Sequence, residues 1–181
     1  PPAAIMLVGS FFVPGGAAGT GEPDWRTILV GGLGKGGRGY YALDVTNGTP
    51  ADEAGVAANV LWEFPNSSTP PQVVANLGYS FGKPVIAKAG DQGWVVLVTS
   101  GYNNTEPITV TVEGASTTYT GDGKGHLFVL NAKTGEVIGD ISTDVGSSET
   151  PSGLAAFSAY LEGANVDNTV TQVYAGDLDG N

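Results

Sequence analysis

The sequence predicts an all-β chain: a partial β-propeller of about two and a half four-stranded antiparallel blades with loop insertions. Three observations carry that prediction. The phrase Tyr41-Ala42-Leu43-Asp44-Val45-Thr46-Asn47-Gly48 recurs in altered form as Phe128-Val129-Leu130-Asn131-Ala132-Lys133-Thr134-Gly135. In both, an aromatic opens a strand, Leu continues it, Asp or Asn ends it and Gly turns the chain, and such recurrence signals repeat architecture. Three β-branched or aromatic runs also close on a small residue and Gly: Ile28 to Gly32, Leu97 to Gly101 and Val173 to Gly176. Finally, 29 Gly and 11 Pro among 181 residues suit tight turns and short strands better than packed helices.

The elements follow in order. Ile5 to Val13, Thr27 to Val30, Gly39 to Val45 and Val60 to Phe64 read as the four strands of a first unit. Lys83 to Ala89, Trp94 to Thr99, His126 to Asn131 and Glu136 to Ser142 form a second, and Leu154 to Leu161 with Thr171 to Ala175 begin a third. Residues 1–181 are thus read as one propeller fragment, with approximate blades 1–70, 71–150 and an incomplete 151–181. Strands that are apolar throughout are expected where neighbours cover both faces. Two polar stretches, Thr49 to Asn59 and Asn103 to Thr120, are read as exposed loop insertions, with at most a short turn of helix over Ala51 to Ala58. Both chain ends read as cut from a longer protein.

Charge and composition exclude several classes. A net charge of −11 disfavours nucleic acid and anionic membranes as partners. The longest apolar run, Ala3 to Val13, is too short to span a bilayer, so membrane insertion is not expected. The absence of Cys removes disulfides, thiolate catalysis and Cys-ligated metal. Scarce Lys with plentiful Asn, Ser, Thr and Gly suits an extracellular surface; the sequons at Asn47, Asn66 and Asn103 are of a kind that an Asn/Thr-rich chain produces by chance.

Two motifs imitate catalysis. Gly32-Leu33-Gly34-Lys35-Gly36-Gly37 satisfies G-x-G-x-x-G, but a dinucleotide site needs a following helix, and Tyr40 to Thr46 reads as strand. Gly36 also stands where a phosphate loop needs Ser or Thr. A glycine-rich hairpin anchored by Arg38 is expected instead. Gly78-Tyr79-Ser80-Phe81-Gly82 satisfies G-x-S-x-G, with Asp91 or Asp122 and then His126 following in hydrolase order. Lys83-Pro84 forbids the helix that a nucleophile elbow requires. No catalytic residue and no enzyme activity is therefore predicted. Asp177-Leu178-Asp179-Gly180-Asn181 places oxygens at alternate positions, as a calcium loop begins. Calcium takes six to eight oxygens, so Asp177 and Asp179 alone favour a turn. Asn165 and Asp167 form a second, thinner cluster, and Asp122 reads as a turn residue.

The run from Trp25 to Thr46 closely resembles the C-terminal propeller of the PilC/PilY family of type IV pilus-associated assembly factors and adhesins. Leu77 to Pro84, Trp94 to Asn104, Leu127 to Gly135 and Val173 to Leu178 continue that resemblance in order. It implies a modified propeller outside the cell, at the surface or pilus tip. The implied partners are minor pilins and pilus tip proteins, with host or abiotic surfaces as targets, and the implied roles are pilus biogenesis and adhesion. Some members carry a calcium loop before the strand matching Val173 to Asp177. Here its ligand positions fall on Gly163, Asn165, Asp167 and Thr171, with two expected carboxylates absent, so calcium is the one cofactor the resemblance suggests. Tyr41 to Gly48 and Phe128 to Gly135 also resemble the repeats of pyrroloquinoline-quinone dehydrogenases, an alternative reading, although the grouped Glu, Asn and Asp of such a centre are missing. A third reading is an unrelated extracellular binding propeller. On all but the dehydrogenase reading, rigid blades hold the loops Thr49 to Asn59, Asn103 to Thr120 and Thr143 to Ser152, where exposed Tyr102 and Tyr119 either serve as contacts or merely cover blade edges, the second reading being slightly favoured.

Overall fold

The structure, a computed structural model, describes residues 6–13, 24–50, 52–161 and 169–180. Its first sheet is an antiparallel meander of β1 (Met6–Val13), β2 (Asp24–Gly32), β3 (Tyr40–Asp44) and β4 (Val60–Phe64), in that spatial order. The second contains β5 (Val85–Lys88), β6 (Trp94–Thr99), β9 (His126–Asn131) and β10 (Val137–Ser142), again ordered as a meander. Between β6 and β9 the chain leaves the sheet to form a separate hairpin, β7 (Ile108–Val112) and β8 (Ala115–Tyr119). A last pair, β11 (Ala156–Leu161) and β12 (Val170–Gly176), forms a two-stranded antiparallel sheet. Two short helices, α1 (Glu53–Ala58) and α2 (Pro71–Ala75), lie in connections.

The two four-stranded sheets pack face to face. Ile28, Val30, Tyr40, Ala42, Trp62 and Phe64 from the first share one buried cluster with Val96, Val98, Phe128, Leu130 and Ala132 from the second. The Phe64 and Phe128 rings meet at 5.6 Å between centroids. Trp62 Nε1 donates to the carbonyl of Ala132 at 3.0 Å, and the Tyr40 hydroxyl donates to that of Thr99 at 3.1 Å. Each bond satisfies a polar group that would otherwise be costly to bury. Burial raises the Tyr40 phenol far above its ordinary range, opposed only by its Thr99 bonds, so it stays neutral. In β6 every residue from Val95 to Thr99 is buried, as its unbroken apolar run predicts.

The exposed loop insertion expected over Asn103 to Thr120 carries strands of its own. Ile108, Val110 and Val112 alternate with Thr109 and Thr111, a period-two pattern of β-branched residues. Glu113 and Gly114, at φ of 50° and 82°, supply the paired positive dihedrals of a two-residue hairpin turn. Helix α1 forms where a short helical turn is expected, its start capped by the Asp52 carboxylate, which accepts from Gly55 N at 2.8 Å. Helix α2, entered through Pro71, has no counterpart in the sequence expectations.

Candidate functional site

The glycine loop and the Ser80 motif form a single joint. After β2 the chain makes one 3-10 turn, Gly34–Gly36, and returns directly as β3. Leu33 N donates to Gly39 O and to Ser80 Oγ, both at 3.0 Å, and Gly34 N donates to Ser80 O at 3.2 Å. The buried Ser80 hydroxyl donates to Gly39 O at 2.6 Å. Donors that would cradle a phosphate, and the hydroxyl that would be a nucleophile, are thus spent on each other. Arg38 extends the joint as predicted. Its Nε donates to Leu77 O at 2.6 Å and its Nη2 to Ala75 O at 3.3 Å, while Nη1 meets Glu106 Oε2 at 3.4 Å.

Glu106 lies where the chain enters the β7–β8 hairpin, and the rest of that neck is held by polar groups. Buried Asn104 donates through Nδ2 to Asn76 O at 3.2 Å and to Lys124 O at 2.7 Å, joining the outgoing and returning legs. Gln72 Nε2 reaches Thr120 O at 3.1 Å, and Asp122 N donates to Asn76 Oδ1 at 3.1 Å. Below them His126 is clamped between two carboxylates: Nδ1 lies 2.7 Å from Asp140 Oδ1, and Nε2 lies 3.1 Å from Asp122 Oδ1. With an acceptor at each nitrogen, the ring is satisfied fully only as the imidazolium. Burial opposes that charge, but the bonds to Asp140 and Asp122 outweigh it and raise the His126 pKa. Burial likewise works against ionised Asp122, yet His126 and the Lys124 backbone N–H hold its pKa below normal. Asp122 is therefore a turn residue with a second task. The sequence shows its half of the clamp at i, i+4 spacing, whereas Asp140 reaches His126 only across the β9–β10 pairing.

The hairpin so anchored displays an uncharged face. Thr109 and Thr118 pair through their hydroxyls at 3.2 Å, Thr111 and Ser116 at 2.8 Å, and all four residues are exposed. The loop from Thr143 to Ser152 joins the same rim, because Ser152 N donates to Gly123 O at 2.9 Å and Gly125 N to Val145 O at 3.3 Å. Thr49 to Asn59 does not. It leaves β3 at the Asp44 end, away from the glycine loop at the Tyr40 end. The expectation of exposed Tyr102 and Tyr119 is corrected: both are half-buried, and Tyr102 packs edge-on against Phe81 at 5.4 Å, drawn in by its apolar ring.

The calcium candidates divide. Asn165 and Asp167 lie outside the described residues. Thr171 donates to Tyr160 O at 3.4 Å and lines a cleft of about 360 Å³ whose walls include Leu127, Ile141, Thr143, Leu154, Gln172 and Val173. Asp177 Oδ1 accepts from Asp179 N at 3.0 Å, the side-chain-to-backbone bond of a tight turn. Six residues of extended chain, about 20 Å, separate Thr171 from Asp177, so they cannot share an ion. Among the described residues, no three His, Asp or Glu are arranged to hold a metal.

These sheets and connections have counterparts in known proteins. A family model described as the PilY1 beta-propeller domain matches residues 5–181. The chain belongs to the PilY1 β-propeller family. It is 33% identical over 167 residues to a type IV pilus biogenesis factor PilY1 homolog of Xylella fastidiosa, covering 88% of this chain and 10% of that protein. Against the type IV pilus biogenesis factor PilY1 of Pseudomonas aeruginosa it is 32% identical over 157 residues, covering 87% of this chain and 11% of that one. It superposes on the crystal structure of the Pseudomonas aeruginosa PilY1 C-terminal domain with a TM-score of 0.61 at 29% identity, covering 95% of this chain and 28% of the other. The chain thus spans about a tenth of the curated relatives it matches. No helix among the described residues is long and apolar enough to cross a membrane.

Proposed function

We propose that this chain is a propeller segment of a type IV pilus biogenesis factor that works by binding rather than catalysis, outside the cell at the surface or pilus tip. Membership of the PilY1 β-propeller family carries the reading. The site geometry supports it: the two motifs that imitate catalysis are consumed internally, while the hairpin insertion is held rigidly at its neck and turned outward. A pre-ordered projection binds without the entropy cost of ordering a floppy loop. Its partners would be minor pilins and other tip proteins, and its targets host or abiotic surfaces.

The test is a deletion of residues 107–119 in the full-length gene, with the neck rejoined through Gly-Ser. Expected are normal levels of the protein together with fewer surface pili or weaker attachment. Wild-type piliation and attachment by a stable deletion protein would exclude the hairpin as the recognition element. Unchanged pili after removal of the whole propeller would exclude the biogenesis reading itself.

A further inference from the structure

We propose that Asn47 is a site of spontaneous deamidation, a built-in chemical clock on the outer turn of the first sheet. The chain contains one Asn-Gly dipeptide, Asn47-Gly48. Both residues are exposed in the bend after β3, and among the described residues nothing stands within 4 Å of where a Cβ would sit on Gly48. Glycine there offers little steric resistance to the backbone rearrangement that brings its nitrogen onto the Asn47 side chain.

The reaction needs only water. The Gly48 amide nitrogen, losing its proton to base, attacks Asn47 Cγ, and the new C–N bond closes a succinimide as the side-chain nitrogen leaves as ammonia. Water then opens the ring at one of its two carbonyls. One opening gives Asp at position 47; the other gives isoaspartate, with the chain running through the side-chain carbon. Either product adds one negative charge.

The neighbouring turn shows why Asn47 is vulnerable and why the fold would tolerate the change. In the related turn of the second sheet, Asn131 Oδ1 accepts from Lys133 N at 2.9 Å and from Thr134 N at 3.2 Å. In the first sheet Asp44 takes that part, accepting from Thr46 N at 2.9 Å, so Asn47 is left with no hydrogen-bond partner among the described residues. Asn66, Asn76, Asn103 and Asn104 all have bonded side chains, and none precedes glycine. A Cβ added to Gly135, the counterpart of Gly48, would strike the Trp62 ring, whereas one added to Gly48 would meet nothing within 4 Å among the described residues. The added charge would fall three residues beyond Asp44, which is paired with Arg26 at 2.8 Å, in a chain whose net charge is already −11.

The purified protein is held in mildly acidic and in mildly alkaline buffer and sampled over weeks by peptide mapping, with isoaspartate detected by enzymatic methylation. Most molecules should lose the amide at 47 in alkaline buffer before any other described asparagine changes measurably, giving mixed isoaspartate and Asp. Gly48→Ala should slow the conversion sharply, and Asn47→Gln should abolish the early product while leaving the melting temperature unchanged. Persistence of the Asn47 amide while Asn66, Asn103 or Asn131 converts would overturn the proposal. So would a Gly48→Ala protein that deamidates at the wild-type rate.

Discussion

The clamp on His126 makes a quantitative claim about pH. Asp140→Asn keeps the side-chain shape and removes one charge. A hydrogen bond to a charged group contributes about 1.5–3 kcal/mol. Because the Asp140 side chain is 28% exposed, solvent screening favours the lower part, about 1.5–2 kcal/mol. For a chain of this size that corresponds to a fall in melting temperature of about 3–8 °C. The raised His126 pKa sets the sign: its stabilisation is complete below the unfolded value of 6.5 and disappears as pH rises through the higher folded value. Asp122, whose pKa is lowered, contributes above its unfolded value of 3.8 and loses its contribution as pH falls through the depressed folded value. The clamp is therefore strongest in mildly acidic solution. Urea unfolding of wild type, Asp140→Asn and His126→Gln across that range measures it. Wild type should lose its advantage over both variants on the alkaline side. An Asp140→Asn cost that is the same in alkaline as in mildly acidic buffer would refute the imidazolium clamp.

Three further outcomes test the joints. Gly101→Ala should destabilise by about 2–4 kcal/mol in urea unfolding, because Gly101 has φ of +70° and a Cβ there would strike the Tyr79 carbonyl. Ser80→Ala should cost about 1–3 kcal/mol by removing the hydroxyl that joins the glycine loop; full wild-type stability would show that the joint is idle. Trp62→Phe should cost a similar 1–3 kcal/mol, roughly, since the Ala132 carbonyl would lose the indole donor. Thermal melts showing no change would remove that bond from the interface between the sheets.

Strands were legible because their chemistry is local. Val95 to Thr99 is buried throughout, and His126 to Asn131 alternates between buried and half-buried, matching a continuous and an alternating pattern that can be read residue by residue. The hairpin was hidden because Thr109, Thr111, Thr117 and Thr118 look polar in composition, although their β-branching favours a strand. Helix α2 is a five-residue segment too short to establish a period. The site was less legible than the fold. Ser80 meets Gly39, Arg38 meets Leu77, and His126 meets Asp140 across distances set by strand pairing and blade packing, and spacing alone does not encode those encounters. The G-x-G-x-x-G and G-x-S-x-G strings could be discounted because a strand succeeds the first and Lys83-Pro84 the second; that each silences the other could be seen only in three dimensions.

The neck at Asn104 has a practical consequence. Its side chain ties the outgoing leg to the Lys124 carbonyl of the returning one, so the excursion starts and finishes at nearly the same point. The chain beyond that knot can be lengthened, trimmed or exchanged at small entropic cost, because loop closure depends only weakly on length. The hairpin from Ile108 to Tyr119, which lies beyond the bonds of Glu106, Thr120 and Asp122, is therefore a natural graft point, where a foreign epitope or an affinity tag could be carried without disturbing the register of the sheet beneath.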